Sequence, residues 1–193
     1  GGTTRQVYAN RMEFNEDGTI KTLVPDMRGV GYLSAPQETR RNLALQADFR
    51  ASSEKAPRTA VVDIETQPND PLPEKASVKK YTRTHTYQAA HVGDESNGTR
   101  WMAAVTDSSP YITVDLKEMR NVGECQFYFT KPPEGHTWRL EKSVDGKHWQ
   151  VCAGEKKLQA RSPHVAKGIG EARYLRLHIL RGDAGMWEWK IYE

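Results

Sequence analysis

Apolar and polar residues alternate with a period of two in short runs along much of this chain, and turn residues separate the runs. Such alternation is typical of β-strands that bury one face, whereas the spacing of an amphipathic helix is nearly absent. An Asp-Gly pair at 145–146 adds a strong hairpin signal. The sequence therefore predicts an all-β, antiparallel sandwich or barrel, whose clearest strands are 112–116, 125–129, 174–179 and 187–192.

The N-terminal zone, residues 1–33, carries a hairpin pattern of its own. Two strands are predicted within 6–24, joined at Asp17-Gly18, and one face of the first strand holds Tyr8, Met12 and Phe14. Because an isolated hairpin is marginal in water, we expect these side chains to pack against the rest of the chain.

Two further segments differ from their surroundings in composition. Residues 34–41 are polar and predict a linker. Residues 54–83 are rich in charge and contain four of the ten prolines, which predicts a long surface insertion within a main domain of residues 42–193.

Composition limits the function classes that are worth considering. The chain has 193 residues, of which 37% are hydrophobic and 27% charged, which is enough apolar material for one core. No run approaches the roughly 18–20 apolar residues of a membrane span. The net charge of +3 arises from 28 scattered Lys and Arg residues, so we expect no nucleic-acid partner. The two cysteines, Cys125 and Cys152, are compatible with one disulfide or with two free thiols.

The segment 90–101 contains the most informative candidate for chemistry. Oxygen-bearing side chains at Asp94, Ser96 and Thr99 alternate with glycines just before Trp101. A hard cation such as Ca²⁺ takes about 6–8 oxygen ligands, and a tight loop of this composition can supply most of them. An ordinary surface turn rich in Asp, Asn and Gly is the alternative interpretation.

Five short motifs, in order along the chain, resemble the discoidin, or F5/8 type C, family, whose fold includes carbohydrate-binding module family 32. The resemblance covers residues 42–193 and implies an eight-stranded antiparallel jelly-roll sandwich. The motifs lie at 42–45 with 51–54, at 97–101 with 110–116, at 143–149, at 172–177 and at 186–192.

In many sugar-binding members of this family, an Asp, a Thr five residues later and a Glu near the C-terminus share a structural calcium ion. Asp94, Thr99 and Glu188 match that spacing, so the resemblance implies Ca²⁺ as a cofactor here. The sequence departs from the pattern because Glu95 replaces the usual Gly, and Val92-Gly93 marks an alternative register. Main-chain groups near three further positions would complete the implied site: His91, Ser96 and Trp187.

The same resemblance implies a sugar site built from loops at one end of the sandwich. An aromatic ring stacks there on the apolar face of a sugar, and polar side chains bind its hydroxyls. The candidates outside the strand alternation are Tyr81, His85, Tyr87, Lys131, His136, Trp138 and Trp187. Relatives that bind galactose have an Arg and an Asn in the 131–136 stretch, so galactose specificity is not implied. Core positions are expected for Trp101, Trp149 and Trp189, whereas Trp138 and Trp187 fit either a core or a ligand-facing role.

Residues 5–31 resemble the last strands of a family 43 glycoside hydrolase, which cleaves arabinosides and xylosides. This resemblance implies that the catalytic carboxylates of a parent enzyme lie upstream of this chain. Within the chain there is no HExxH zinc motif, no Gly-x-Ser-x-Gly elbow and no phosphate-binding Gly-rich loop. We therefore expect no catalysis by this chain alone.

Together these patterns predict a non-catalytic carbohydrate-binding accessory module of a secreted, periplasmic or cell-surface polysaccharide-degrading enzyme. Its expected partners are a neutral, plant-type polysaccharide and the upstream catalytic domain. The alternatives are a structural or protein-adhesive discoidin domain that braces the parent enzyme, and a subdomain needed for the parent's catalysis. An exposed aromatic platform would favour sugar binding, and a broad apolar face would favour the brace.

Overall fold

The computed structural model describes residues 12, 13, 15–22, 39–64 and 79–193, and gives only the backbone at 61–64, 79–81 and 83. Three short 3-10 helices occur there, Leu43–Gln46, Ala89–Gly93 and Pro132–Glu134, and none is long and apolar enough to cross a membrane. The remaining regular structure in the described part is strand: β1 Asp48–Ala51, β2 Arg58–Ile64, β3 Lys79–His85, β4 Trp101–Met102, β5 Tyr111–Phe129, β6 His136–Ser143, β7 Gln150–Gln159, β8 His164–Arg181 and β9 Gly185–Tyr192.

Antiparallel pairing joins these strands in the order β4-β9-β5-β8-β6-β7, with β1 added to β5. The long strand β5 pairs with β1 through its first half and with β9 through its second half. Its register with β8 shifts between Asp115 and Arg120, where Lys117 adopts a left-handed φ of 72°. Such an irregularity bends a strand and allows it to serve two layers. The predicted all-β, antiparallel sandwich is confirmed.

The core lies between the apolar faces of the alternating strands. Ile112 and Val114 on β5 are fully buried, and their neighbours on β8, Leu175 and Leu177, are fully buried as well. Burying each such side chain contributes about 1.5–3 kcal/mol. The intervening residues of the same strands therefore face outward, which determines the residues available for binding.

Two of the three tryptophans predicted for the core are there. Trp101 and Trp189 have no exposed surface, and the ring of Trp189 meets Phe127 edge-on with centroids 5.4 Å apart. The prediction for Trp149 is wrong, because this half-buried ring lies outside the core cluster and lines a surface groove. It comes just before β7 begins, where strand alternation does not apply.

The predicted N-terminal turn is present at Gly18, whose φ is +81°. The backbone N–H of Asn15 donates to the carbonyl of Thr19 at 2.8 Å, so the chain reverses direction here. Met12 is 54% exposed, so its predicted burial does not occur. The other two side chains expected to pack, Tyr8 and Phe14, lie outside the described residues, as does most of each predicted strand.

A separate two-stranded sheet falls within the predicted insertion 54–83. Strands β2 and β3 pair antiparallel, and Arg58 lies opposite His85 in the register. Residues 65–78, which connect the two strands, lie outside the described part of the chain.

Candidate functional site

The loop after the 3-10 helix Ala89–Gly93 is folded around the carboxylate of Asp94. Asp94 Oδ1 accepts a hydrogen bond from the backbone N–H of Ser96 at 2.9 Å, and Oδ2 accepts one from Thr99 Oγ1 at 2.7 Å. Ser96 Oγ in turn accepts from the N–H of Gly98 at 3.2 Å. These local bonds curl the backbone and bring the oxygens of Asp94 and Thr99 together.

Glu188, on β9, is a buried carboxylate that interacts with this loop. The residue has no exposed surface, and no hydrogen bond of ordinary geometry reaches Oε1 or Oε2 from any described residue. Burial, together with the charges of Asp94 and Glu95, raises the pKa of Glu188 to about 9. The Lys190 ammonium and the backbone N–H of Glu95 oppose this shift only in part. A buried carboxylate without partners is costly, and a bound cation would remove that cost.

The oxygen atoms around this loop fit a hard cation. No cluster of three or more His, Cys, Asp and Glu side chains with metal-binding geometry exists in the described part of the chain. A cation here would therefore use hydroxyl and carbonyl oxygens in addition to the carboxylates, which is the mixed set that Ca²⁺ accepts. The His91 ring Nδ1 lies 3.3 Å from the carbonyl oxygen of Arg100, so this nitrogen already has a partner in the chain.

At one end of the sandwich, Asp183 joins two loops. Its carboxylate accepts a hydrogen bond from Thr130 Oγ1 at 2.5 Å and lies 3.3 Å from the ammonium of Lys131. The Lys131 side chain is exposed, and its backbone has a left-handed φ of 48° before the short helix Pro132–Glu134. The Lys131 ammonium thus lies at the surface, paired with Asp183 and, at 3.6 Å, with Glu134.

Two predicted sugar contacts are corrected by the structure. His136 has no exposed surface and stacks on Phe129 with centroids 4.5 Å apart, and Trp138 is 3% exposed. Both belong to β6, which begins at His136, so the loop is shorter than the sequence suggested. Neither ring can meet a saccharide without opening the core.

Two of the remaining aromatic candidates, Trp187 and Tyr87, lie near Arg100. The Arg100 guanidinium carbon is 4.7 Å from the centre of the Trp187 ring and 5.4 Å from that of Tyr87. Tyr87 is buried, whereas Trp187 is half-buried. His85 is half-buried at the end of β3, and the side chain of Tyr81 lies outside the described atoms. Trp187 and His85 are therefore the predicted ring contacts with described side chains that stay half-buried, and Trp187 offers the larger ring.

Sequence reasoning did not single out a groove of about 620 Å³ on the outer face of the sheet. It is lined by Trp149, Arg176 and Tyr111, among others. Alternation along the strands indicates that Arg176 and Tyr111 point outward, but the pairing of β5 with β8 was needed to place them side by side.

A family model described as the F5/8 type C domain matches residues 74–192. No curated protein matches the chain. Among solved structures, one described as a glycoside hydrolase shares 34% identity with a TM-score of 0.66 over 95% of this chain. The chain spans 38% of the length of that glycoside hydrolase.

Two smaller structures have the same fold at lower identity. One is chitosan-binding module 1 from a chitosanase/glucanase of Paenibacillus sp. IK-5, with 20% identity and a TM-score of 0.56 over 79% of this chain and 99% of that one. The other is a family 32 carbohydrate-binding module of a Clostridium perfringens family 89 glycoside hydrolase, in complex with GalNAc-β-1,3-galactose. It shows 16% identity and a TM-score of 0.57 over 79% of this chain and 100% of that one.

Proposed function

The chain belongs to the F5/8 type C domain family, and from this premise we propose that it is a non-catalytic carbohydrate-binding module of a larger glycoside hydrolase. The observation that carries the proposal is the 34% identity to a solved glycoside hydrolase over 95% of this chain. Low-identity neighbours that bind chitosan and GalNAc-β-1,3-galactose support the same fold and suggest the same kind of role.

The geometry at Trp187 supports a weak, shallow sugar site. A partly exposed indole ring can stack on the apolar face of a pyranose, and the nearby Arg100 guanidinium offers fixed hydrogen-bond donors. Lys131 and Asp183 supply further polar groups at the end of the sandwich. Because one half-buried ring provides few contacts, we expect dissociation constants of about 0.1–1 mM for a neutral saccharide.

Titration calorimetry of the 193-residue chain with neutral oligosaccharides and with amino-sugar oligomers tests this proposal. The panel contains arabinan, xylan and galactan fragments, together with chitosan oligomers and GalNAc-β-1,3-galactose, the ligands of the two structural neighbours. We expect one class to bind, and Trp187→Ala to weaken it at least about fivefold, since stacking on one ring contributes about 1 kcal/mol or more. Trp187→Phe keeps an aromatic face and should retain part of the affinity.

Tyr128→Ala is the matched control, because Tyr128 is also a half-buried aromatic residue but lines neither this site nor the outer-face groove. Both variants are compared with the parent chain by thermal unfolding, so that a folding defect is not mistaken for lost binding. No heat with any neutral saccharide would contradict the sugar site. It would favour the structural or adhesive brace, an interpretation with which the burial of His136 and Trp138 agrees.

We also propose that the Asp94 loop holds a structural Ca²⁺. Asp94, Thr99 and Glu188 would contribute side-chain oxygens, and carbonyls near His91, Ser96 and Trp187 would complete the site. The support is the buried, unpartnered Glu188 carboxylate beside this acidic loop. Bound there, the ion would neutralise the carboxylates and fix the loop against β9.

Differential scanning calorimetry with and without Ca²⁺ tests the metal proposal. A ligand that binds only the native state stabilises it by about 2.7 kcal/mol at a hundredfold excess over its Kd, which corresponds to a Tm increase of several degrees. Glu188→Gln should abolish the increase. Glu134→Gln removes an exposed carboxylate from another loop and should leave the increase unchanged. If the Tm of the demetallated parent chain does not change when Ca²⁺ is added, the proposed site is wrong.

The identity of the parent enzyme is a further proposal. The resemblance of residues 5–31 to a family 43 glycoside hydrolase supports an arabinosidase or xylosidase whose catalytic domain lies upstream. Its polysaccharide substrate would be met outside the cell, which supports export of the parent protein. Assay of the full-length parent on aryl arabinosides and xylosides, with this chain alone as the inactive comparison, tests both the family and the absence of catalysis here.

A further inference from the structure

We propose that the outer-face groove is a second binding site, specific for a carboxylated saccharide such as a chain of uronic acid units. The groove has a volume of about 620 Å³, and its lining includes Arg50, Tyr111, Thr113, Trp149, Tyr174 and Arg176 together with the carboxylates of Asp48, Asp115 and Asp145. No lining residue belongs to the neutral-sugar site proposed at Trp187.

Strand pairing places two arginines in one row across three strands. Arg50 on β1 lies opposite Thr113 on β5, and Thr113 lies opposite Arg176 on β8. Neighbouring strands are about 4.8 Å apart, so the backbones of the two arginines are separated by about 10 Å. All three side chains occupy the outer face, since the adjacent residues Ile112 and Leu177 are buried in the core.

The guanidinium of Arg176 is held in place before any ligand arrives. Its carbon lies 3.8 Å from the centre of the Trp149 ring and 5.1 Å from that of Tyr111. Its Nε donates to Thr113 Oγ1 at 3.3 Å, so the remaining N–H groups of the planar fork are left for another acceptor. Because the Arg176 side chain is already fixed between aromatic rings, it loses little rotamer freedom when a ligand binds.

The carboxylates around the groove already have other partners. Arg173 binds Asp115 through two hydrogen bonds of 2.9 and 3.0 Å and lowers the pKa of that carboxyl. Asp48 is paired with Lys117. Arg50 acts on Asp115 only at longer range.

Asp145 is likewise occupied. It accepts from the ring of His148 and from backbone N–H groups of its own turn, and these bonds lower its pKa. Within the described part of the chain, neither Arg50 nor Arg176 forms an ion pair. The row therefore presents two guanidinium groups without an ion pair, of which Arg50 still interacts electrostatically with Asp115.

This chemistry matches a carboxylated sugar. A planar guanidinium forms paired hydrogen bonds with a carboxylate, and two of them in one row can engage acidic groups on a chain laid across the strands. The partly exposed rings of Trp149 and Tyr174 offer apolar surface for the sugar, and Thr113 offers a hydroxyl.

Titration of the 193-residue chain with a galacturonate tetramer, its methyl-esterified form and a neutral galactose tetramer tests the proposal. We expect the acid to bind at least about tenfold more tightly than the ester, and more weakly as salt is raised, because screening reduces exposed charge interactions. Arg176→Gln should weaken binding of the acid at least about fivefold, and Arg176→Lys, which keeps charge but loses the fork, by an intermediate amount. Arg181→Gln, an exposed arginine on the same strand outside the groove, is the control.

Two results would overturn the site: equal binding of acid and ester, or equal losses in Arg176→Gln and Arg181→Gln, which would indicate unspecific charge attraction. Thermal unfolding of each variant shows whether the fold is retained. The experiments can reject either of the two sugar sites without rejecting the other. If the chain binds a neutral saccharide through Trp187 but binds no uronate, the neutral-sugar site is retained and the groove is rejected. If it binds uronate through Arg176 but binds no neutral saccharide, the groove is retained and the neutral-sugar site is rejected.

Discussion

Trp138 Nε1 donates a hydrogen bond to Nδ1 of His164 across 3.1 Å inside the core. Because an indole N–H can only donate, Nδ1 of His164 must be the unprotonated acceptor. The two rings are perpendicular, and His164 has no exposed surface. A second buried imidazole, His136, lies 6.0 Å away, and burial lowers its pKa as well. The core thus contains a polar contact that exists only while His164 is neutral.

We expect the free energy of unfolding to fall as the solution is acidified below pH 6.5. Burial lowers the pKa of His164 from 6.5 to about 4, so the unfolded chain takes up a proton at a higher pH than the folded chain. The stability contributed by the neutral ring is complete above pH 6.5 and is lost as the pH falls to about 4. At about 1.4 kcal/mol per pKa unit, the loss is at most about 3 kcal/mol. Urea denaturation across this pH range measures it.

His164→Gln supplies the comparison for that experiment, because glutamine does not titrate in this range. We expect the variant to be less stable than the parent at neutral pH and to show a flatter pH dependence. His148→Gln alters an exposed imidazole whose pKa is raised by Asp145, so it should leave the loss caused by His164 in place. An H164Q chain with the parent's full pH dependence would assign the effect to another group.

Alternation along the sequence predicted the strands well because it reports directly which residues meet the core. The predicted runs 112–116, 125–129, 174–179 and 187–192 all lie within β5, β8 and β9. It failed for Trp138, because the start of β6 at His136 cannot be located from composition when Pro and Gly precede it. Because β6 begins at His136, alternation places Trp138 and Leu140 on the same buried face.

For a related reason, the sequence revealed the Asp94 loop but not the row of Arg50 and Arg176. Asp94 and Thr99 are five residues apart, so a local turn suffices to bring them together, and spacing revealed them. The row of Arg50 and Arg176 depends on two strand pairings, Arg50 with Thr113 and Thr113 with Arg176, each between residues distant in sequence. Periodicity gives the outward direction of each side chain, but it does not say which outward side chains become neighbours.

Gly182→Ala should destabilise the protein by about 2 kcal/mol or more. The residue has a φ of +103°, and an added Cβ would lie 2.6 Å from the carbonyl oxygen of Gly135 and 2.5 Å from the His136 ring. Backbone atoms cannot move aside cheaply, so steric overlap adds to the conformational strain. Gly168→Ala is the matched control, because its φ is +66° but its added Cβ would meet nothing within 4 Å. We expect it to cost about 1 kcal/mol. Equal losses in urea denaturation would contradict the packing argument.

Phe127→Ala should cost about 3–5 kcal/mol, the range for deleting a large ring from a well-packed core. Phe127 has no exposed surface and meets the rings of Trp138 and Trp189 at 4.9 and 5.4 Å. Val105→Ala, at a side chain that is 90% exposed, should change stability by less than about 0.5 kcal/mol. Chemical denaturation of the three chains measures both differences. A loss near 1 kcal/mol for Phe127→Ala would show that the surrounding rings collapse into the space.

Thiol titration should distinguish the two cysteines and decide whether they form a disulfide. Both are free in the structure, but burial raises the pKa of Cys125 to about 12, and Cys152 is half-buried with Sγ 3.5 Å from the Leu140 carbonyl oxygen. Since the thiolate is the reactive form, we expect a disulfide reagent to label Cys152 slowly in the native protein and Cys125 only after denaturation. Cys152→Ser should abolish the native phase, and Cys125→Ser should leave it intact. Equal native rates would mean that the core opens readily, and no free thiol in denaturant without reductant would establish a Cys125–Cys152 bridge.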